Sequence, residues 1–130
     1  MLRIEHVAFW TENIERLASF YATYFGARTG PKYINAKRGY ESRFLSFDGG
    51  ARIELMKSST IAPVVLQRGA QRMGLTHLAI SVGSEQCVDE LTGRLKQAGH
   101  TILDVPRHTG DGYYESVVLD PDGNRIEVTV

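Results

Sequence analysis

Two short stretches of the sequence, 52–54 and 125–127, carry the same three residues, Arg-Ile-Glu. Each stretch follows a turn containing Asp and Gly, and each glutamate alternates with aliphatic side chains, which is the pattern of a β-strand. Glu54 and Glu127 are therefore matching positions in two predicted strands. An acidic side chain in the middle of such a strand is an unusual choice for solubility alone, so both are candidates for chemistry.

Two histidines form a second matched set. His6 lies in Glu-His-Val-Ala and His77 in Thr-His-Leu-Ala, and the tripeptide Tyr-Glu-Ser occurs at both 40–42 and 114–116. The nearly constant separation of these landmarks indicates an internal repeat. We call His6 with Glu54 the first pair, and His77 with Glu127 the second pair.

Strand alternation puts both pairs on the face opposite the aliphatic residues of their strands. Two imidazoles and two carboxylates are suitable ligands for a divalent cation, whose charge the two carboxylates would balance. A single histidine or glutamate in a strand is more often a packed or solvent-facing residue. The repetition at equivalent positions favours the metal site.

The elements that would position these residues repeat as well. Helices are predicted from Asn13 to Gly26 and from Ser84 to Gly99, each with a capping side chain at its start and a glycine at its end. Strands are predicted at 2–10, 29–33, 40–47, 51–57, 75–82, 101–105, 113–119 and 124–130. The predicted order is strand–helix–strand–strand–strand, twice.

This order predicts a single α+β domain over residues 1–130, with tandem βαβββ modules at about 1–57 and 75–130. The stretch 61–74 is interpreted as a connector with room for one helical turn. The helices would cover one face of a sheet, and the other face would meet a ligand or a partner.

Composition narrows the function classes. The chain has 130 residues, with 15 basic and 15 acidic side chains, which argues against a dedicated binder of nucleic acid or of an anionic membrane. Cys87 is the only cysteine, so no intrachain disulfide is possible, and it matches no motif. The first residues lack the apolar segment of a secretion signal, and a cytoplasmic location is the default expectation.

The paired modules with their two His–Glu pairs resemble the glyoxalase/bleomycin-resistance/extradiol-dioxygenase superfamily, also called vicinal oxygen chelate (VOC) proteins. The resemblance covers the whole chain and is most specific at 120–127 and at 13–26, which contains Phe20-Tyr21. It implies a mixed sheet curled around a metal cleft. It also implies a homodimer in which the first pair of one chain meets the second pair of the other.

Among branches of the superfamily, the ligand set is most similar to that of bacterial glyoxalase I, a lactoylglutathione lyase. Extradiol dioxygenases and fosfomycin-resistance transferases use two His and one Glu, methylmalonyl-CoA epimerases typically carry Gln at the place of Glu54, and bleomycin-binding members lack the ligands. The resemblance implies nickel, cobalt or zinc and, as substrate, the hemithioacetal of methylglyoxal and glutathione. It also makes Glu127 the base that moves a proton between neighbouring carbons, with Glu54 as its counterpart.

The sequence departs from glyoxalase I at one place that matters for the substrate. Glyoxalase I has an Arg shortly after its first His ligand that helps to hold glutathione, and Trp10 stands there in this chain. Trp10 either lines the pocket or packs in the core. The substrate is therefore predicted more broadly, as a hemithioacetal of a 2-oxoaldehyde and a thiol, or a related small vicinal-oxygen compound.

Several other residues are candidates for contact with the substrate. Arg107 lies in the predicted loop before Tyr113, and this region shapes the cleft in relatives. Arg107 and Tyr113 are therefore candidates for substrate binding. Further anion-binding candidates are Arg43, Arg68 and Arg72. For each arginine, and for His100 and His108, a solvated surface position is the alternative.

Three classes of function remain after these arguments. The first is a metal-dependent lyase or isomerase of the glyoxalase I type that serves methylglyoxal detoxification. The second is another metalloenzyme of the superfamily, namely an epimerase, a thiol transferase for antibiotic resistance or a dioxygenase. The third is a non-catalytic small-molecule binder.

Overall fold

A computed structural model describes residues 1–64 and 66–130. The chain divides into two compact units, Met1–Val65 and Leu66–Val130. The described residues of each unit form one helix and one open mixed sheet, which confirms the predicted α+β fold with two modules. The predicted connector 61–74 contains no helix among its described residues, and Val65 within it lies outside them.

The first unit begins with a strand and a helix, which are followed by its remaining strands. In chain order its elements are β1 (His6–Trp10), α1 (Ile14–Phe25), β2 (Arg28–Thr29), β3 (Tyr33–Asn35), β4 (Tyr40–Ser46) and β5 (Arg52–Ser58). The sheet order is β1-β5-β4-β2, and β3 also pairs with β4. The β1–β5 pairing is parallel and the others are antiparallel, so the first and last strands of the unit lie side by side.

The second unit repeats this plan. Its elements are β6 (His77–Ser81), α2 (Glu85–Gln97), β7 (Ile102–His108), β8 (Tyr114–Leu119) and β9 (Arg125–Thr129). The sheet order is β6-β9-β8-β7, and β6 runs parallel to β9. β7 is longer than the sequence predicted, and its pairing with β8 shifts register between Asp104 and Arg107.

The predicted strand at 29–33 is wrong as a continuous element. It is replaced by the short strands β2 and β3, which pair with different parts of β4. The N–H of Gly30 still donates to the carbonyl of Phe44 at 2.8 Å, but Pro31 has no N–H to continue the ladder. The strand is interrupted there and resumes at Tyr33.

Both helices begin at the predicted caps. The side chain of Asn13 accepts a hydrogen bond from the N–H of Arg16, and that of Ser84 accepts one from the N–H of Cys87. α1 ends at Gly26, whose φ of 66° is the left-handed conformation that glycine adopts without strain. Within residues 1–64 and 66–130, no helix combines the length and the apolar character needed to cross a bilayer.

Each unit has an apolar core between its helix and one face of its sheet. In the first unit, Leu17 and Tyr21 of α1 and Leu45 and Leu55 of the sheet are fully buried. In the second unit, the fully buried residues include Val88, Leu95, Val118, Ile126 and Val128. Burying each such side chain contributes roughly 1.5–3 kcal/mol. Since the aliphatic residues of β5 and β9 face the helices, the glutamates between them face the other way.

The predicted equivalence of the two Tyr-Glu-Ser tripeptides is wrong by one residue. Glu54 lies opposite Phe44, and Glu127 lies opposite Val117, so Glu115 rather than Ser116 occupies the place of Ser42. A slip of one residue moves a side chain to the other face of a sheet. Tyr40 accordingly hydrogen-bonds Glu54, whereas the hydroxyl of Tyr114 donates to Asp89 on α2 at 2.6 Å.

The turn that precedes β9 is organised by Asp120, which is fully buried. Its carboxylate accepts hydrogen bonds from the N–H groups of Asp122 and Asn124 and from the side-chain amide of Asn124, each at 2.9 Å. Arg68 donates to the backbone carbonyls of Asp120 and Pro121 at 3.2 and 2.9 Å. These contacts fix the turn from which β9, the strand that carries Glu127, begins.

We expect Asp120→Ala to lower the free energy of unfolding by about 2–4 kcal/mol, because it leaves three partly buried donors without the carboxylate that accepts from them. Asp48→Ala is the matched control in the corresponding turn. The Asp48 side chain is fully exposed and pairs with Arg28 at 2.8 Å, so its loss should change the free energy of unfolding little. Urea unfolding followed by circular dichroism measures both values. Equal losses in the two variants would contradict the structural role of Asp120.

Candidate functional site

The first pair lies on the face of the sheet that α1 does not cover. In the parallel ladder of β1 and β5, Ala8 is opposite Glu54 and His6 is opposite Arg52. His6 and Glu54 are therefore diagonal neighbours on one face. The Nε2 atom of His6 lies 3.5 Å from Oε2 of Glu54.

Glu5 and Arg52 orient the imidazole of His6. The Nδ1 atom of His6 donates to the carboxylate of Glu5, which also accepts from Nε of Arg52 at 2.8 Å. Hydrogen bonds from His6 and then from Arg52 hold the pKa of Glu5 below its usual range. The ring of Phe44 meets His6 edge-on at 5.3 Å and carries the Arg52 guanidinium 4.0 Å above it.

In the neutral imidazole, a proton on Nδ1 leaves the lone pair on Nε2, which faces a carboxylate oxygen of Glu54. Two acceptors at 3.5 Å repel each other unless a cation, either a proton or a metal ion, lies between them. A carboxylate on the other ring nitrogen is the usual support of a metal-binding histidine. The donor set of the first pair therefore fits a divalent cation.

Tyr40 fixes the other oxygen of Glu54. Its hydroxyl donates to Oε1 of Glu54 at 3.0 Å. Burial of the phenol, together with the hydrogen bond to Glu54, raises the pKa of Tyr40, and Ser42 opposes the shift. The Glu54 side chain is 15% exposed, so its carboxylate is held in a largely enclosed position.

The second pair has the same geometry. Ala79 lies opposite Glu127 in the parallel ladder of β6 and β9, and Nε2 of His77 lies 3.2 Å from Oε2 of Glu127. The surroundings differ, because the buried carboxyl of Glu115 is the neighbour of Glu127. Burial and then the negative charge of Glu127 raise the pKa of Glu115, against the opposing charge of Arg107.

Each pair by itself supplies one imidazole nitrogen and one carboxylate. Across residues 1–64 and 66–130, no group of three or more His, Cys, Asp or Glu side chains is arranged to hold a metal ion. Each pair is thus half of the predicted ligand set. The four-ligand site, and its division between chains, stay predictions.

Of the predicted substrate contacts, Trp10 and Tyr113 are open to solvent, at 46% and 53% exposure. Trp10 meets the ring of Tyr40 edge-on at 6.2 Å, so it is a neighbour of the first pair rather than a core residue. The N–H of Tyr113 donates to the hydroxyl of Thr109 at 3.0 Å. Arg107 donates to the backbone carbonyl of Glu115 at 3.1 Å.

Two of the remaining anion-binding candidates have structural partners. Arg43 donates to Glu15 at 3.0 Å and to the carbonyl of Gly30 at 2.8 Å, and Arg68 is engaged by the turn at Asp120. Arg72 is exposed. His108 is exposed and lies 3.8 Å from Glu85, His100 is half-buried, and Cys87 is exposed.

A sequence profile of the Glyoxalase/Bleomycin resistance protein/Dioxygenase superfamily matches residues 3–128. The chain belongs to this superfamily. Solved structures agree with the assignment at the level of the fold. No curated protein sequence matches the chain.

Three solved structures illustrate the shared superfamily fold. Glyoxalase I from Zea mays has 23% identity and a TM-score of 0.78, and the match covers 98% of this chain and 44% of that one. The trypanothione-dependent glyoxalase I of Leishmania major has 21% identity, a TM-score of 0.76 and coverage of 99% and 86%. A glyoxylase/bleomycin resistance protein/dioxygenase domain from Frankia has 18% identity, a TM-score of 0.82 and coverage of 100% and 98%. The chain spans less than half of the maize enzyme.

The sequence did not lead us to predict three neighbours of the His–Glu pairs, namely Glu5, Tyr40 and Glu115. Glu5 could have been found, because it immediately precedes His6. The position of Glu115 depends on the β8–β9 register, which places it on the same face as Glu127. No local pattern in the sequence indicates that register.

Proposed function

We propose that the protein is a divalent-metal-dependent isomerase or lyase of the glyoxalase I type. Its substrate is the hemithioacetal of a 2-oxoaldehyde and a thiol, or a related small vicinal-oxygen compound. The observation that carries the proposal is the repetition of one His–Glu geometry in both units, with nitrogen–oxygen distances of 3.5 and 3.2 Å. Membership of the superfamily supports it.

The four residues of the two pairs would hold one ion of nickel, cobalt or zinc per site. The metal, when bound, polarises the adjacent oxygens of the substrate, which acidifies the hydrogen on the carbon between oxygen and sulfur. Glu127 takes that proton and returns it to the neighbouring carbon, so the carboxylate ends in its starting form. The hydroxyl hydrogen of the substrate moves to the former carbonyl oxygen, so the product is a 2-hydroxy thioester and no other reactant is needed.

The surroundings of the two glutamates favour Glu127 as the base. The hydroxyl of Tyr40 tethers Glu54, which restrains a carboxylate that would have to reach two carbons in turn. The neighbour of Glu127 is instead the buried carboxyl of Glu115, whose pKa is raised by burial and then by the negative charge of Glu127. Glu54 is then chiefly a ligand, although its repeat-related position makes it the second choice.

Trp10 favours a thiol other than glutathione, because its indole cannot pair with a carboxylate as an arginine does. The same residue supports the second candidate function, another metalloenzyme of the superfamily such as an epimerase, a thiol transferase or a dioxygenase. Oxygen uptake with a catechol after iron loading would identify the dioxygenase. Tight binding of a small molecule without turnover would identify a non-catalytic binder.

Metal analysis of the purified protein followed by an ultraviolet assay is the direct test. We expect stoichiometric divalent metal, and isomerisation of methylglyoxal hemithioacetals formed with glutathione or with simpler thiols. Activity should disappear on chelation and return with nickel, cobalt or zinc. A protein that takes up none of these metals contradicts the proposal.

We further propose that the protein is a cytoplasmic homodimer whose sites combine the first pair of one chain with the second pair of its partner. His6→Ala and Glu127→Ala are each expected to be inactive alone. In a mixed dimer, one site would hold both substitutions and the other site would be intact. Unfolding the two variants together and refolding the mixture should therefore restore activity. Activity measurements and sedimentation test this. A fully active monomer would exclude the shared site.

A further inference from the structure

A cavity of about 440 Å³ opens in the first unit beside the first pair. Its walls come from the β3–β4 hairpin and from the end of β5, and its lining residues are Tyr33, Asn35, Arg38, Tyr40, Ser58 and Thr60. This volume is within the usual range for sites that hold small molecules. Tyr40 connects the cavity to the first pair, because its hydroxyl donates to Glu54.

One wall of the cavity is aromatic. The rings of Tyr33 and Tyr40 lie 6.1 Å apart, and Trp10 meets Tyr40 at 6.2 Å on another side. Tyr33 and Trp10 are 55% and 46% exposed, so their rings offer uncovered apolar surface. Such ring arrangements receive a flat unsaturated group by stacking or edge contact.

Arg38 supplies a positive charge at the same cavity. Its guanidinium makes no hydrogen bond or ion pair within residues 1–64 and 66–130. The charge is therefore available to a ligand, unlike those of Arg43 and Arg68. A guanidinium binds a carboxylate with two parallel hydrogen bonds, which fixes its orientation as well as its position.

The turn that carries Arg38 is held in place by its neighbours. The N–H of Arg38 donates to the carbonyl of Asn35 at 3.2 Å, and the N–H of Ser59 donates to the carbonyl of Gly39 at 3.4 Å. Gly39 has a φ of 58°, and a Cβ there would lie 2.8 Å from the Ser59 hydroxyl. The hairpin is thus anchored to the end of β5, where the hydroxyls of Ser58 and Thr60 are 2.9 Å apart.

We propose that this cavity binds an aromatic carboxylate, with the ring against Tyr33 and Tyr40 and the carboxylate on Arg38. As a statement about the substrate, this rests on the proposed function: the reacting oxygens would be at the first pair and the aromatic acid would extend into the cavity. The anion-binding role that Trp10 cannot fill then belongs to Arg38. The binding itself needs neither metal nor turnover.

Trp10 is the only tryptophan, so its fluorescence reports directly on the ring of Tyr40 at the cavity wall. We expect benzoate to change this fluorescence saturably in the full chain, with and without excess chelator. Benzyl alcohol, which lacks the charge, and cyclohexanecarboxylate, which lacks the flat ring, should each bind about tenfold more weakly. If the benzoate-induced fluorescence change persists in excess chelator, the binding does not require metal and can be distinguished from the metal-dependent activity.

Arg38→Gln should weaken benzoate about tenfold or more and leave benzyl alcohol unchanged, because only the charged contact is lost. Lys37→Gln is the matched control, since it removes the same charge from an exposed neighbour that does not line the cavity. Tyr33→Leu should weaken benzoate but not cyclohexanecarboxylate. The proposal is overturned if both charge variants weaken benzoate equally, if chelator abolishes the binding, or if benzoate has no advantage over the two analogues.

Discussion

Glu127→Gln is expected to retain most of its metal and to lose turnover by about 100-fold or more. Glutamine keeps the size of the side chain and one carbonyl oxygen as a ligand, but it cannot accept the proton that the isomerisation moves. Metal content by mass spectrometry and the initial rate in the ultraviolet assay are measured on the same preparation. The substrate is whichever hemithioacetal the wild-type protein isomerises.

Glu54→Gln is the matched control, because it makes the same change at the repeat-related position. Its turnover should fall less than that of Glu127→Gln, since Tyr40 restrains Glu54 and the proposed proton transfer takes place on the side of Glu127. If Glu127→Gln works at the wild-type rate with metal bound, Glu127 is at most a ligand. The base would then have to be Glu54 or a hydroxide on the metal.

His77→Ala should remove most of the bound metal. The substitution deletes one of four proposed ligands and leaves two carboxylates with one imidazole, a set that holds a divalent ion much less tightly. The quantity to measure is metal per chain after gel filtration, with circular dichroism to verify that the variant is folded. The His77 side chain is 37% exposed, so its loss should not disturb the core.

His108→Ala is the corresponding control, because His108 pairs with Glu85 on the surface and belongs to neither His–Glu pair. It should keep the wild-type metal content. An unchanged stoichiometry in His77→Ala would reject the second pair as a metal ligand. Equal losses in both variants would show that metal uptake at this protein is not specific to the pairs.

Much of the candidate site could be predicted because it depends on short-range geometry. Alternation along a strand is set by the backbone, so His6 and Glu54 had to lie on the face opposite Ile53 and Leu55 once β1 and β5 were recognised. The internal repeat carried this argument to the second pair. The helix caps at Asn13 and Ser84 were likewise local, since a capping side chain bonds a backbone N–H only a few residues away.

The residues that surround the pairs depend on contacts between distant parts of the chain. Tyr40 and Tyr114 occupy identical tripeptides, yet a one-residue difference in strand register sends one to Glu54 and the other to Asp89. Register is decided by the pairing of whole strands and by what each face buries, so a matching tripeptide cannot reveal it. The neighbour of Glu127 is Glu115 for the same reason.

The sequence by itself determined the two modules, their helices and the shared face of each His–Glu pair, because these follow from side-chain periods and local capping. Tertiary structure decided how deeply each charge is buried and what it pairs with. Asp120 is buried and accepts several hydrogen bonds, whereas Asp48 is exposed in the corresponding turn. Arg43 donates to Glu15 and to a backbone carbonyl, whereas Arg38 lines a cavity. Burial and pairing are properties of packed neighbours, and those neighbours are remote in the sequence.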